Sequence, residues 1–239
     1  MKTLFDKTTL GNRTLKNRVW RSATWLSLAD SEGNVTDELV SAYEELSEGG
    51  AAVIVTGLTS IVTEDAEIGG GVKFHDDRFI SGHRRLTDAV HKHGALVMMQ
   101  TAIVDGPIDE PTKEARAKSK LACTMPCKEE EANRQLTTEQ VEDIVRQFGD
   151  AALRAEQAGY DGVQIHAAHF FYLSKFVSPL LNHRTDRYGG DQQGRSRILY
   201  EILKDMRSKT SPSKCVSCNS CYRTPGHQCI FNLRAQKDV

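Results

Sequence analysis

Three times along this chain an amphipathic helical stretch runs into glycine and then into a short apolar, β-branched run. That alternation constrains the fold more than any other feature. The first helix is capped by Thr36, carries Leu39, Val40, Tyr43 and Leu46 at helical spacing and stops at Gly49-Gly50. The run Ala51-Ala52-Val53-Ile54-Val55-Thr56 follows, and a strand apolar on both faces belongs to a parallel sheet buried on both sides. The second cycle is a helix over 78–93, Gly94 and the strand Ala95–Gln100. In the third, Thr137 and Gln140 form a capping box, and Val141, Ile144, Val145, Phe148 and Ala152 make one helical face up to Gly159. The strand Gly162–His166 comes next. A strand over Arg18–Thr24 precedes the series and a helix near 195–207 closes it, which gives four β-α units in succession. Right-handed crossovers then predict an α/β fold whose parallel strands lie side by side in chain order. The connection 101–136, with Pro107, Pro111 and Pro126, is too long for a simple link and reads as an excursion over a site.

After Arg207 no further apolar strand is expected. The chain passes through Ser-Lys-Thr-Ser-Pro-Ser-Lys into Cys215, Cys218, Cys221 and Cys229, so it divides into a regular part, 1–208, and a cysteine-rich segment, 209–239. Four thiols at this spacing in a cytosolic protein suit metal ligation better than disulfides. Cys123 and Cys127 stand in a polar loop and are read as unrelated to them.

The 31 basic and 32 acidic residues give a net charge of −1, which provides no electrostatic footprint for nucleic acid or an anionic membrane. No apolar run approaches the roughly 18 residues of a membrane span. The start Met-Lys-Thr-Leu-Phe-Asp-Lys lacks a signal-peptide core. The expectation is a cytoplasmic protein with a small-molecule partner.

Chemistry concentrates at the strand Gly162–His166, which delivers His166 and His169 to its carboxyl end. That edge of a parallel sheet is where ligands bind. Imidazoles there can hold a substrate oxygen, although a metal pair or surface residues would have the same spacing. Gln100 ends the preceding strand with an amide that both donates and accepts.

The stretch Asp161-Gly-Val-Gln-Ile-His-Ala-Ala-His169, continuing to Ser178-Pro-Leu-Leu-Asn-His-Arg-Thr-Asp-Arg-Tyr-Gly-Gly190, resembles the fourth strand and following loop of the Old Yellow Enzyme family. These are FMN-dependent ene-reductases on a (β/α)8 TIM barrel. The resemblance runs from Leu4 to about Arg207, with a further patch at 214–234. It implies that about the first four β-α units of the barrel are present. It also implies that Ser22, Ala23, Thr24, Thr56 and Gly57 line the flavin ring and that Gln100 binds its pyrimidine edge. His166 and His169 match the pair that grips a carbonyl or nitro oxygen, with His166 also beside the cofactor. NAD(P)H would be the reductant and activated C=C bonds of unsaturated carbonyl compounds the substrates. The family's proton-donating tyrosine falls on Phe171, so Tyr172 replaces it only if the loop is re-registered. Trp25 stands where relatives carry a small side chain.

The tail resembles the four-cysteine [4Fe–4S] site of the dienoyl-CoA reductase and trimethylamine dehydrogenase branch. Zinc held by four thiolates, and cysteines with no ligand at all, are the other two readings. The later strands, which in the family supply a basic residue facing the flavin and the phosphate loops, are not recognised. The alternative function is therefore a non-catalytic half-barrel, or a metal-binding scaffold, that needs a partner to fold. Exposed strand edges predict self-association or low stability, with a homo-oligomer as one outcome.

Overall fold

The computed structural model describes residues 2–10, 13–63, 70–104, 136–169 and 171–211, together with the backbone of 215–217. An antiparallel pair, β1 (Thr8–Leu10) and β2 (Arg13–Leu15), precedes the main sheet. That sheet consists of β3 (Trp20–Arg21), β4 (Val53–Ser60), β6 (Leu96–Ala102), β7 (Gly162–Ile165) and β8 (Cys215–Ser217), all parallel and adjacent in chain order. A two-residue strand, β5 (Val72–Lys73), adds to the carboxyl end of β4. The helices are α1 (Asp37–Glu48), α2 (Ile80–His91), α3 (Thr138–Gln157), the short α4 (Tyr172–Val177) and α5 (Gln192–Lys209).

The helix starts follow from their caps. Thr36 accepts from the Leu39 amide at 3.1 Å, Asp191 accepts from the Gly194 amide at 2.8 Å, and Thr137 and Gln140 form the reciprocal capping box the sequence predicts. Strand alternation then assigns two faces. Ile54, Val97, Met99, Val163 and Ile165 pack outward against Leu39, Leu86, Phe148 and Ile198 of the helices. Val53, Val55 and Met98 point to the other face and are covered by Leu15 of β2. Each such side chain contributes roughly 1.5–3 kcal/mol on burial. Lys16 fastens the same end: its ammonium donates to the carbonyls of Ser47, at 3.4 Å, and His93, at 2.9 Å. Those carbonyls close α1 and follow α2, where the helix dipoles favour a cation. The Leu15-Lys16-Asn17 motif is thus a clasp at the amino end of the sheet, opposite His166.

One expectation is corrected. A fifth parallel strand follows Arg207, because Cys215–Ser217 pairs with Gly162–Gln164 of β7. Three residues suffice to satisfy the open edge of β7, so no apolar run announces the strand. The first strand is also shorter than expected, with 22–24 continuing as extended chain. Residues 105–135 of the long connection, and Cys123, Cys127, Cys218, Cys221 and Cys229, lie outside the described residues, so the four-cysteine proposal rests on spacing alone.

Candidate active site

Strand parity brings the polar residues together. Met98, Gln100 and Ala102 share one face of β6, and Gly162, Gln164 and His166 the matching face of β7, with Gln100 opposite Gln164 in register. The Gln100 amide donates to Oε1 of Gln164 at 2.7 Å. This leaves Oε1 of Gln100 as an acceptor and the Gln164 amide nitrogen as a donor, side by side. An imide edge, with its own N–H beside a carbonyl, is what that pair complements. Gln164 was not anticipated from the sequence, though its inward parity with His166 was a usable signal.

Next to Gln100, β4 is irregular. Its register with β6 shifts between Val55 and Leu58. Two side chains hold the bulge. The backbone N–H of Gln100 donates to Oγ1 of the buried Thr56 at 3.2 Å, and the backbone N–H of Gly57 donates to the Tyr43 hydroxyl of α1 at 2.7 Å. Gly57 is required because a Cβ there would lie 2.7 Å from the Thr24 carbonyl. Thr24 therefore rests directly on Gly57, and Ala23 packs beside Val53, Val55 and Met98, while Ser22 and Thr24 are exposed. Thr24, Thr56, Gly57, Gln100 and His166 are thus gathered at the carboxyl end of the sheet, as the sequence predicts. Trp25 lines a small cavity on the helical side of β4 with Tyr43, His83 and Tyr160. Its space of about 20 Å³ is roughly one water molecule, too little for an organic ligand.

His166 and His169 are hydrogen-bonded to each other, Nε2 to Nδ1, at 2.9 Å. The contact is possible because His169 takes a left-handed backbone conformation, φ 57°, rare for a non-glycine residue and costing roughly 1–3 kcal/mol. His166 is 5 % exposed and its Nδ1 has no hydrogen-bond partner among the described residues, whereas His169 is exposed. Burial, and secondarily the neighbouring His169 ring, push His166 down to about 4, so it is neutral at pH 7. A buried polar atom without a partner in a native protein calls for an explanation, such as stored strain, a catalytic role or a bound water.

Phe171, not Tyr172, joins these imidazoles. Its ring lies 4.9 Å from that of His166, and it packs with Leu58, Ala102 and Val104. Tyr172 is fully buried in the helical core with its ring 5.2 Å from that of Phe176. The loop has not been re-registered, and Tyr172 is turned away from the histidines by the start of α4.

The loop after β7 is braced below. The buried Arg184 guanidinium grips Asp186 through Nε and Nη2 and donates from Nη1 to the Leu136 carbonyl at 2.8 Å. Asp186 in turn accepts from Thr138 at the start of α3.

The pattern of NADH:flavin oxidoreductase / NADH oxidase proteins matches residues 3–223. The chain belongs to this family. A metal reductase of Desulforamulus reducens is 39% identical over 184 residues, which cover 73% of this chain and 26% of that protein. An NADPH dehydrogenase of Halalkalibacterium halodurans is 31% identical over 183 residues, covering 74% of this chain and 51% of that one. Among solved structures, the Old Yellow Enzyme homologue of Zymomonas mobilis superposes with a TM-score of 0.73 at 25% identity, over 87% of this chain and 60% of that one. This chain thus spans between about a quarter and a half of these curated relatives. Within the NADH:flavin oxidoreductase family, its parallel sheet corresponds to the first part of the TIM barrel. No helix among the described residues is long and apolar enough to cross a membrane.

Proposed function

We propose that this chain carries the flavin-facing and substrate-facing residues of an FMN-dependent NAD(P)H oxidoreductase that reduces activated C=C bonds of unsaturated carbonyl compounds. The observation that supports it most is the placement of Gln100, Gln164 and His166 on one face at the carboxyl end of the sheet, with the Gln100 and Gln164 side chains paired. The Gln100–Gln164 pair suits the pyrimidine edge of an isoalloxazine, and Thr24, held on Gly57, forms the neighbouring wall. When bound there, FMN would accept hydride from NAD(P)H and return it to the substrate. His166 and His169 would hold the carbonyl oxygen and draw electron density from the double bond. Phe171 presents a hydrophobic ring beside that oxygen and has no proton to give.

The test is the colour and activity of the purified full chain. A flavin absorption band together with enone-dependent NAD(P)H oxidation is expected. Replacing His166 and His169 together by alanine should lower enone reduction by roughly 10²-fold or more while flavin occupancy stays near that of the parent. A colourless protein that does not take up added FMN would overturn the reading and favour a non-catalytic scaffold. Loss of flavin from the double variant would make the imidazoles cofactor ligands instead.

A further inference from the structure

The two imidazoles are not equivalent, because their ring nitrogens are not equally open to a ligand. Nδ1 of His166 is buried, with no hydrogen-bond partner among the described residues. Nε2 of His166 and Nδ1 of His169 are engaged with each other at 2.9 Å. The Phe171 ring, 4.9 Å from that of His166, covers part of the same side chain. What is left is Nε2 of His169, on the exposed ring.

The protons follow from this geometry. A neutral imidazole carries one N–H, and burial, which pushes His166 down to about 4, keeps it neutral at pH 7. If that proton sat on Nδ1 it would be a donor shut in without an acceptor, and among buried backbone groups an orphaned N–H is rarer than an under-satisfied oxygen. The proton therefore belongs on Nε2, from which it is donated to Nδ1 of His169. Since Nδ1 of His169 then serves as the acceptor, the proton of that ring is on Nε2 and points outward. His166 has no N–H left to offer.

We propose that Nε2–H of His169 alone holds the substrate oxygen, and that His166 is a positioning residue that acts through His169 by fixing its tautomer and its aim. This rests on the reading that the site reduces an enone, and it divides between the two imidazoles a task that the reading gives to both. As hydride reaches the β-carbon, negative charge grows on the carbonyl oxygen, and a donor already aimed at that oxygen stabilises it without reorganising. The left-handed backbone of His169, φ 57°, belongs to the same device. Strain of this kind persists only where the surroundings over-determine it, and the bond from His166 supplies that constraint.

Two measurements test it. The first needs no cofactor: nitrogen-15 NMR of the histidine side chains in the full chain, at about pH 8 where ordinary histidines are neutral, should show both rings protonated at Nε2. Replacing His166 by leucine should release His169 into a mixture of tautomers, whereas His166→Gln, whose amide can still donate to Nδ1, should keep it at Nε2–H. A parent in which Nε2 of His169 lacks its proton, or a His169 signal indifferent to the leucine variant, would overturn the assignment whatever the flavin does. The second uses the FMN-loaded protein and the oxidative half-reaction with an enone. Loss of an oxyanion donor costs about 10²–10³-fold, and loss of a group that orients one about 10–100-fold. His169→Ala should therefore cost more than His166→Leu, and His166→Gln should recover most of what leucine loses. A leucine variant at 166 as impaired as the alanine variant at 169, with no recovery by glutamine, would make His166 a direct contact and refute the division. Failure to bind FMN would defeat the functional reading separately, since the tautomer result does not depend on it.

Discussion

Phe171 and Tyr172 are neighbours in the chain and serve opposite layers of the fold: the Phe171 ring lies 4.9 Å from His166, while the Tyr172 ring lies 5.2 Å from Phe176 in the helical core. The turn into α4 separates them, since Phe171 is its extended N-cap and Tyr172 its first residue.

Phe171→Tyr should therefore place a hydroxyl beside the imidazoles without disturbing the core. A positioned general acid is worth roughly 10²–10⁴-fold. Part of that gain, at least about tenfold, is expected in the oxidative half-reaction with an enone, with the NAD(P)H half-reaction unchanged. Rapid-mixing kinetics on the two half-reactions would check this, and an unaltered oxidative rate would show that protonation does not limit turnover.

Tyr43→Phe removes the hydroxyl that receives the Gly57 amide. An amide left without a partner costs about 1–3 kcal/mol. The expected outcome is a lower thermal midpoint and weaker FMN binding together, because the same bulge sets the position of Thr24 and Gln100. A variant that loses stability but binds FMN as before would confine Tyr43 to a packing role.

Gly189→Ala should be poorly tolerated. An added Cβ would run into the backbone carbonyl of Arg184, which cannot swing aside as a side chain would. Overpacking of this kind costs about 1–3 kcal/mol, and here it would also strain the grip of Arg184 on Asp186. Urea unfolding would register the loss, and a midpoint equal to that of the parent would show that the loop relaxes freely.

Acid should destabilise the fold in two stages. Burial holds both His83 and His166 down to about 4, below the ordinary 6.5. The unfolded chain then takes up their protons first, so stability is complete above about 6.5 and falls as pH drops toward 4. Asp186 behaves differently: burial acts to raise it, but hydrogen bonds from Arg184 and Thr138 outweigh that and hold it at about 2. Its contribution is present above 3.8 and is lost between 3.8 and 2. His83→Gln should flatten only the upper stage of a urea-midpoint profile, and Asp186→Asn only the lower. A midpoint constant from pH 7 to 4 would contradict the burial of the two histidines.

The long periodic elements were legible in the sequence because each carries its own punctuation: Thr36, Thr137 and the glycines fix α1, α3 and the strands that follow them. β8 was not legible, since Cys-Val-Ser has no apolar pattern and its pairing is decided by the free edge of β7. The six-residue α4 is too short to show a period. At the site, His166 could be read because it directly follows the end of β7, and Gln100 because it is a polar residue in an apolar run, although β6 continues two residues beyond it to Ala102. Tyr43 could not, for its spacing in α1 is that of an ordinary core residue and only the hydrogen bond to Gly57 reveals otherwise. Whether Phe171 or Tyr172 faced the histidines depended on the direction of a loop, which residue spacing does not encode.

The bond from Tyr43 to Gly57 also means that instructions for the shape of the pocket are stored on the far side of the sheet. Helix α1 lies among the outer helices, with Leu39 packed in the helical core, yet its tyrosine holds the strand bulge on which Thr24 rests. Laboratory evolution aimed at new substrates would accordingly gain from libraries that sample α1. Variation there would reshape the wall by fractions of an ångström while every residue touching the substrate keeps its identity.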